Sequence, residues 1–545
     1  MLWILLVAAV LAAVYAQHRK LTATKRLLDD LPWVGVKQGQ WFARGRAHLR
    51  EATRSWELLM EGYEKWSKKD KTFVIPHLSF RPEAILAQSH IPWLMKQGEE
   101  ILSTKPAQVS LTELEWLAPP EIHENALHEE VIRKDLTRHL GMLTEDINKA
   151  VIESIDLIWG LDTEWKHVNA VETIYEIIIR ISNAIFLGDA VYQQDFYRDR
   201  VRGFANAFIF SVTSIKSLLP DILRPIIAPV LAFPAKYCMN KCHQFLGPVI
   251  EARLEGLRRK QLDPTNKDPE PEDFIQWMTR SAFSQPGGRE ADSKLICTRI
   301  ILMETTAIHT STSTVANTLI DLVSAPAEHQ YLEGIRAQSL QIFRQDGGRW
   351  TQAGIRRLNR ADSAIRESLR YSGFAARGAK RQVTAPGGVT LPDGTHLPQH
   401  AWLSIPVAAI HFDERFYPDP HRYDAFRFSD AREEMVEALR RRPGGQAELY
   451  EILQERRLSV STTSDAFVPF GHGRHSCPGR FFAAQMLKLL IAYITIHYDI
   501  ERLPERPKSA ALSDFSAPPQ SCKFKIRRRT QAEIDADSPR EKTPN

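Results

Sequence analysis

The sequence predicts a large domain that is mainly α-helical with minor β-sheet. From Leu127 to Met278, apolar residues recur at three- and four-residue spacings, which is typical of amphipathic helices. A mostly apolar run from Ser293 to Val323 predicts one long helix that stops before Pro326. Between Val383 and Leu403 the pattern changes to short β-like pieces separated by proline- and glycine-containing turns. Helices are therefore expected to form most of the structure.

Composition and charge narrow the class of protein. The 545 residues are 43% hydrophobic and 25% charged, which describes an ordinary globular chain rather than a disordered one. The net charge of +5 is small for this length, and no basic stripe with interleaved aromatic residues occurs, so no nucleic-acid partner is expected. The five cysteines lack the spacing of a disulfide framework, which favours a reducing compartment.

The N-terminus carries an uncharged apolar segment, Leu2 to Ala16. As a helix this segment reaches roughly 23 Å, short for a hydrocarbon core of about 30 Å, but it could span a thin bilayer if Met1 and Gln17 are included. A signal peptide cleaved after Ala16 is the alternative. Basic residues follow the apolar run instead of preceding it, which favours an uncleaved anchor with the rest of the chain in the cytosol.

Four segments follow from these patterns. Residues 1–17 are predicted to be a membrane anchor, and residues 18–36 a basic hinge in which Pro32 interrupts helical continuity. Residues 37–529 are predicted to form the folded domain. Residues 530–545 are polar and are predicted to be a disordered tail.

The segment "FGHGRHSCPGRFF", residues 470 to 482, contains three glycines around a single cysteine, Cys477. A buried thiolate that binds a metal needs its charge stabilised, and glycines allow the backbone to curl so that amides point at the sulfur. A helix predicted from Arg480 to Tyr498 would add its N-terminal dipole. This arrangement is what a thiolate-ligated haem iron requires. The alternative is a structural cysteine in a glycine turn.

This segment resembles the cysteine loop of the cytochrome P-450 superfamily, F-x-x-G-x-[RH]-x-C-x-G, and is similar in particular to filamentous-fungal members. Phe470, Gly473, His475, Cys477 and Gly479 match every fixed position. The resemblance implies the cytochrome P-450 fold and a haem b cofactor with Cys477 as axial iron ligand. It also implies that His475 reaches a haem propionate and that Phe470 packs beside the thiolate.

A second landmark is "ESLR", in which Glu367 and Arg370 are neighbours on one face of a predicted helix. The resemblance implies that this pair is buried and joined by a second arginine from a downstream meander. "AFRF" supplies a variant of the family's PERF element, so Arg427 is the predicted third member and Arg422 the alternative. A buried trio of this kind is expected to fix the geometry of the cysteine loop more than to increase the free energy of unfolding.

The long helix from Ser293 to Val323 carries a central run of hydroxyl side chains. The family pattern [AG]-G-x-[DE]-T-[TS] aligns with residues 306–311 and implies that Thr310 is the oxygen-activating threonine. His309 stands where the family has an acid, and it either takes part in proton delivery or is structural. A W-x-x-x-R element that holds a propionate in many relatives is absent, and Arg133 or Lys134 is expected to substitute.

The resemblance implies a membrane-bound monooxygenase that inserts one oxygen atom from dioxygen into an apolar small molecule, such as a terpenoid or a related fungal secondary metabolite. The chain has no nucleotide-binding glycine loop, so electrons are expected from a separate NADPH–cytochrome P-450 reductase. The expected location is the endoplasmic reticulum membrane. One alternative is an enzyme on the same fold that rearranges peroxides or dehydrates its substrate without external electrons. A second alternative is a non-enzymatic haem sensor. Thr310 and the helix that carries it favour the monooxygenase over both.

Four aromatic residues are candidates for a substrate pocket, although scattered aromatics commonly belong to the core. They are Phe208, Phe210, Phe374 and Phe515.

Overall fold

A computed structural model describes residues 28–537 except 29, 38, 78–80, 189–194, 220–222 and 441–456. Helices account for most of this part of the chain. The α-helices are α1 (Ala43–Lys65), α2 (Ile91–Lys96), α3 (Lys105–Thr112), α4 (Leu114–Leu117), α5 (Glu121–Glu124), α6 (Leu127–Val131), α7 (Thr144–Trp159), α8 (Ala170–Leu187), α9 (Asp195–Leu218), α10 (Arg224–Leu262), α11 (Phe274–Phe283), α12 (Ser293–Ser324), α13 (Tyr331–Gln345), α14 (Gln352–Arg356), α15 (Asn359–Tyr371), α16 (Val407–His411), α17 (Arg427–Arg440), α18 (Arg480–His497) and α19 (Gln531–Ala536).

The strands are short and lie in small sheets. They are β1 (Phe73–Ile75), β2 (Glu83–Ile85), β3 (Leu102–Ser103), β4 (Lys166–Asn169), β5 (Gly378–Val383), β6 (Val389–Thr390), β7 (His396–Leu397), β8 (Trp402–Ile405), β9 (Tyr498–Ile500), β10 (Ala510–Leu512), β11 (Phe515–Ala517) and β12 (Lys523–Arg528). The largest sheet has the order β1-β2-β8-β5-β3, in which only β2 and β8 run parallel. The fold is therefore mainly α with minor β-sheet, as predicted.

The centre of the helical core is α12, which packs against α8, α10, α15 and α18. Asp292 caps its N-terminus by accepting hydrogen bonds from the amides of Lys294 and Leu295 at 3.0 Å each. The helix ends at Ser324, two residues before Pro326, as the prediction from the proline requires. The helix is buried around most of its circumference, and its buried side chains include polar as well as apolar ones, which explains the weak amphipathic pattern of this segment.

Residues at the N-terminal border of the domain are docked on the large sheet. The amide of Val34 donates to the carbonyl of Val74 in β1 at 3.0 Å, and Leu28 is fully buried. The predicted hinge of residues 18–36 is therefore part of the folded body over its described residues, because backbone hydrogen bonds to β1 hold it there. The predicted anchor, residues 1–17, lies outside the described residues. Within the described part of the chain, no helix combines the length and apolarity needed to cross a membrane.

Over residues 530–537 the structure differs from the predicted disordered tail of residues 530–545; residues 538–545 lie outside the described part of the chain. Thr530 and Glu533 form a capping box at the start of α19, and Ile534 is buried. Arg529 donates to the Asp537 carboxylate at 2.6 Å, which ties the end of the helix back to β12. The buried side chain of Ile534 and the capping box stabilise this short helix, although the polar composition of the segment predicted disorder.

Candidate active site

The cysteine loop is a tight backbone turn that precedes α18. The amide of Cys477 donates to the carbonyl of Phe470 at 2.7 Å, which closes the loop on itself. Gly471 and Gly473 both have φ of 68°, a left-handed conformation that side chains disfavour. A Cβ on Gly473 would also lie 3.2 Å from the sulfur of Met95. These glycines are therefore needed for backbone conformation, as the sequence suggested.

The sulfur of Cys477 lies at the N-terminus of α18. The amides of Gly479 and Arg480 donate hydrogen bonds toward it, and the Arg480 guanidinium adds a favourable charge. Burial nevertheless outweighs these contacts and raises the pKa of the Cys477 thiol above its ordinary value. The amides thus stabilise a thiolate only in part, and a bound cation would supply the remaining stabilisation.

Basic side chains surround His475 on the outer side of the loop. Its Nε2 lies 3.2 Å from a carboxylate oxygen of Glu99. Burial lowers the pKa of His475, and the neighbouring guanidinium groups of Arg381 and Arg474 lower it further. Arg381 is buried, and desolvation lowers its pKa to about 10. Arg381 was not found from the sequence, because burial of a charged residue in a short strand leaves no local signal.

The two candidates for the missing propionate contact differ in position. A π-helical turn, Ile132–Leu136, carries both. Arg133 is near enough to lower the pKa of His475 and of Arg480 electrostatically. Lys134 is exposed and paired with Glu130. The structure therefore brings Arg133 toward the cysteine loop, while Lys134 is engaged by Glu130; the role of Arg133 stays a prediction.

Glu367 and Arg370 form a fully buried, two-point ion pair on α15. Nε and Nη2 of Arg370 each lie 2.8 Å from a carboxylate oxygen of Glu367. Arg427 adds its Nε at 3.2 Å from both oxygens. The alternative, Arg422, is exposed and pairs with Asp424 at 3.3 Å. The structure thus brings together the three residues predicted from "ESLR" and "AFRF".

The arginines of this trio also hold the meander before α17. Arg370 Nη1 donates to the carbonyls of His411 and Pro420 at 2.7 and 2.8 Å. Arg427 Nη2 donates to the carbonyl of Arg422 at 3.0 Å, and the amide of Asp424 donates to Glu367 at 3.1 Å. The side chains therefore fix an irregular stretch whose backbone has few partners of its own.

Arg366 connects α15 to the segment that leads into the cysteine loop. It is buried and donates to the carbonyls of Ser459 and Thr462. Its guanidinium stacks 3.8 Å over the ring of Phe467, which immediately precedes the loop region. Sequence reasoning missed Arg366, because "IRESLR" contains two arginines and only the fold shows that both are buried.

Thr310 lies in the middle of α12 and is half-buried. Its hydroxyl donates to the carbonyl of Thr306 at 2.8 Å, one turn earlier. Thr306 is exposed although Thr305 and Ile308 beside it are buried, so one strip of this internal helix faces open space. The helix α12 also packs on α18, the helix that begins beside Cys477.

His309 points away from this strip toward α8 and α9. Its Nε2 lies 3.1 Å from the carbonyl of Ala205, and its ring lies 5.7 Å from that of Tyr175. A carbonyl only accepts, so Nε2 carries the proton and Nδ1 is the acceptor. Burial lowers the pKa of His309, which keeps the ring neutral. The structure supports a contact between helices, while the part of His309 in proton delivery stays a prediction.

The four candidate pocket aromatics fall into different surroundings. Phe208 is buried against Phe204, with ring centroids 5.8 Å apart, and belongs to the core. Phe210 is 55% exposed on the outer face of α9. Phe374 lines a small cavity with Ser313 and Thr314 of α12. Phe515 pairs with the residue after Phe374 through an isolated β-bridge.

A mainly helical fold with a cysteine in an amide-rich loop, set against a hydroxyl-bearing helix, defines the class of haem-thiolate proteins. The comparison with family models agrees: residues 124–526 match the model described as Cytochrome P450. The chain therefore belongs to the cytochrome P450 family and is a cytochrome P450 monooxygenase.

Curated relatives are similar over nearly their whole length. Cytochrome P450 monooxygenase gloP of Glarea lozoyensis is 31% identical over 520 residues, covering 94% of this chain and 93% of that protein. Cytochrome P450 monooxygenase lnaC of Aspergillus flavus is 31% identical over 490 residues, covering 89% and 90%. Cytochrome P450 monooxygenase fsoD of Humicola fuscoatra is 31% identical over 522 residues, covering 92% of each chain.

The residues present fit the haem-thiolate cofactor that family membership implies. The atom that would bind the iron is the Cys477 sulfur. The backbone amides around it favour the thiolate, but they do not fully offset the effect of burial on the pKa of the thiol. Beside it, three arginines and one histidine outnumber the two nearby acids Glu99 and Glu129, a surplus of basic groups that suits the two carboxylates of haem. The basic residues are Arg133, Arg381, Arg474 and His475.

Proposed function

We propose that this protein is a membrane-bound monooxygenase that inserts one oxygen atom from dioxygen into an apolar fungal secondary metabolite of the terpenoid or a related class. A separate NADPH–cytochrome P-450 reductase supplies the electrons. The observation that carries this proposal is the amide-rich loop around Cys477 at the start of α18, a helix that packs on the hydroxyl-bearing helix α12. The organisms of the curated relatives support a fungal substrate.

In this proposal each residue has a physical task. Cys477 would hold haem b through its thiolate, and the haem would supply the oxygen chemistry. The basic group around His475 orients the cofactor by pairing with its carboxylates. Thr310 holds a proton at its Oγ and passes it toward dioxygen when its bond to the Thr306 carbonyl opens.

Membrane attachment is part of the proposal and has two supports. The first is the apolar segment at residues 2–16. The second is the start of α10, where Ile226, Val230 and Phe233 recur at helical spacing and are 67%, 70% and 66% exposed. Apolar side chains of this size on one helix face suit the boundary of a bilayer. The proposed location is the endoplasmic reticulum membrane, with the domain in the cytosol because basic residues follow the apolar segment.

The test is reconstitution of the purified holoenzyme with the reductase, NADPH and a panel of extracted fungal terpenoids. We expect a product heavier than its substrate by one oxygen atom, formed only when both NADPH and dioxygen are present. Product formation without NADPH would favour rearrangement or dehydration chemistry instead. Haem binding with no turnover of any compound class would favour the sensor.

A further inference from the structure

The end of α2 and its connection to β3, residues 95–101, lie against the outer side of the cysteine loop. A Cβ on Gly473 would lie 3.2 Å from the sulfur of Met95, so the thioether packs directly on the glycine. The next residue of the loop, Arg474, donates from Nη2 to the carbonyl of Gln97 at 3.0 Å. The loop is therefore held from outside by a second stretch of irregular backbone.

Glu99 belongs to this connection and makes the third contact with the loop. Its carboxylate lies 3.2 Å from Nε2 of His475, the residue after Arg474. Ser103 Oγ donates to the same carboxylate at 2.7 Å, the amide of Thr104 at 3.0 Å and Thr104 Oγ1 at 2.8 Å. Burial opposes ionisation, but these hydrogen bonds lower the pKa of Glu99, so the group is a carboxylate at neutral pH. With this many partners, the Glu99 side chain is held in one orientation.

The large sheet anchors the backbone of this connection. The hydroxyl of Thr384, the residue after β5, donates to the backbone carbonyl of Glu99 at 3.0 Å, and its amide donates to the carbonyl of Ile101 at 2.9 Å. Burial lowers the pKa of Arg381 in β5, and the nearby Glu99 carboxylate opposes that shift. One carboxylate thus interacts with a buried arginine of the sheet and with a histidine of the loop.

We propose that Glu99 is a positioning residue for the haem cofactor, which holds the His475 ring in place for a haem carboxylate. A ring that is fixed beforehand loses less conformational freedom when the cofactor binds, and this slows dissociation. The side chains of His475 and Glu99 are 29% and 36% exposed, so the effect is modest and concerns haem retention rather than folding. The inference rests on the haem site of the proposed function and on the expected contact of His475 with a propionate.

The test measures the rate at which the purified holoenzyme loses haem to excess apomyoglobin. We expect Glu99→Gln to lose haem about twofold to fivefold faster than the wild type, because the amide still accepts from Thr104 but has no charge to offer His475. Glu100→Gln is the matched control: Glu100 is the next residue and is exposed, and the rate should not change. The reduced, carbon monoxide-treated variants should keep a thiolate-type Soret band, since Cys477 is untouched.

A double-mutant cycle determines whether Glu99 acts through His475. In a His475→Gln background, Glu99→Gln should have no further effect on the rate of haem loss. The reduction potential of the haem is a second readout. Glu99→Gln should raise it, because loss of a negative charge near the cofactor favours the reduced iron. A change confined to the turn at Ser103 would leave the potential unchanged.

Wild-type haem loss in Glu99→Gln, an unchanged reduction potential, or an undiminished effect in the His475→Gln background would each overturn the inference. Slower haem loss would overturn it as well, because the Glu99 carboxylate would then chiefly repel those of haem. Haem transfer needs neither reductase nor substrate. Faster haem loss from Glu99→Gln in a protein that oxidises no compound would therefore count against the proposed function alone. Unchanged haem loss in an active enzyme would count against this inference alone.

Discussion

Arg370 binds Glu367 through two parallel hydrogen bonds of 2.8 Å, and neither side chain has any exposed surface. The pair does not stand by itself, since Arg427 contacts the same carboxylate and both arginines donate to meander carbonyls. Through Arg366 and Phe467, the same helix supports the segment that enters the cysteine loop. One carboxylate thus organises two irregular stretches of backbone.

Glu367→Ala should destabilise the protein by about 3–5 kcal/mol, because it leaves the buried guanidinium group of Arg370 without its carboxylate partner and removes the same partner from Arg427, which is partly buried. We expect little holoprotein, measured as haem per polypeptide after purification. Arg370→Ala should behave similarly. Arg422→Ala is the matched control, because Arg422 lies on the same meander but its side chain is exposed. Normal haem occupancy in both Glu367→Ala and Arg370→Ala would contradict a role of this pair in shaping the loop.

Cys477→Ala should abolish thiolate ligation. The observation behind this prediction is the pair of amides, from Gly479 and Arg480, that point at the sulfur. The measurement is the Soret band of the reduced, carbon monoxide-treated protein, which should lose its thiolate-type shift. Cys522→Ala, at a buried cysteine outside the loop, should keep the shifted band. A shifted band in Cys477→Ala would exclude this residue as the ligand.

Thr310→Ala should uncouple electron consumption from product formation. A positioned proton donor contributes roughly a hundredfold to ten-thousandfold in rate, so product per NADPH should fall strongly and hydrogen peroxide should rise. Substrate binding and reduction should persist, because the hydroxyl contacts only the Thr306 carbonyl. Thr310→Ser keeps the hydroxyl and should retain most coupling. Wild-type coupling in the alanine variant would remove Thr310 from the proton path.

The same assay decides between the two roles of His309. If its ring feeds the proton path, His309→Leu should resemble a weaker Thr310→Ala, and His309→Asp should be tolerated. The hydrogen bond to Ala205 of α9 favours instead a contact that joins two helices. In that case His309→Leu would lower thermal stability and leave product per NADPH unchanged.

Deletion of residues 1–17 should release much of the protein from microsomal membranes without loss of haem. Residual binding is expected through the exposed apolar face of α10, so Phe233→Ser in the truncated protein should release more. The measurement is the fraction of protein that sediments with membranes, with haem content as the control for folding. A full-length protein that is wholly soluble, or one whose mature N-terminus begins at Gln17, would contradict the anchor.

Local patterns in the sequence determined a good deal of this protein. The spacing of apolar residues and the break at Pro326 are short-range signals, and they predicted α12 to within a residue. The glycines around Cys477 indicated a curled backbone because positive φ is a property of the residue itself. Such features need no knowledge of distant contacts.

Only the tertiary structure decided which charged residues are buried and what faces them. Arg366 and Arg381 look like surface arginines in the sequence, and Lys216 like any lysine near the end of a helix. Their environments come from segments far away along the chain, such as Phe467 for Arg366 and Phe515 for Lys216. Desolvation depends on the surroundings in space, so the lowered pKa values of Arg381 and Lys216 could not be predicted from residue spacing.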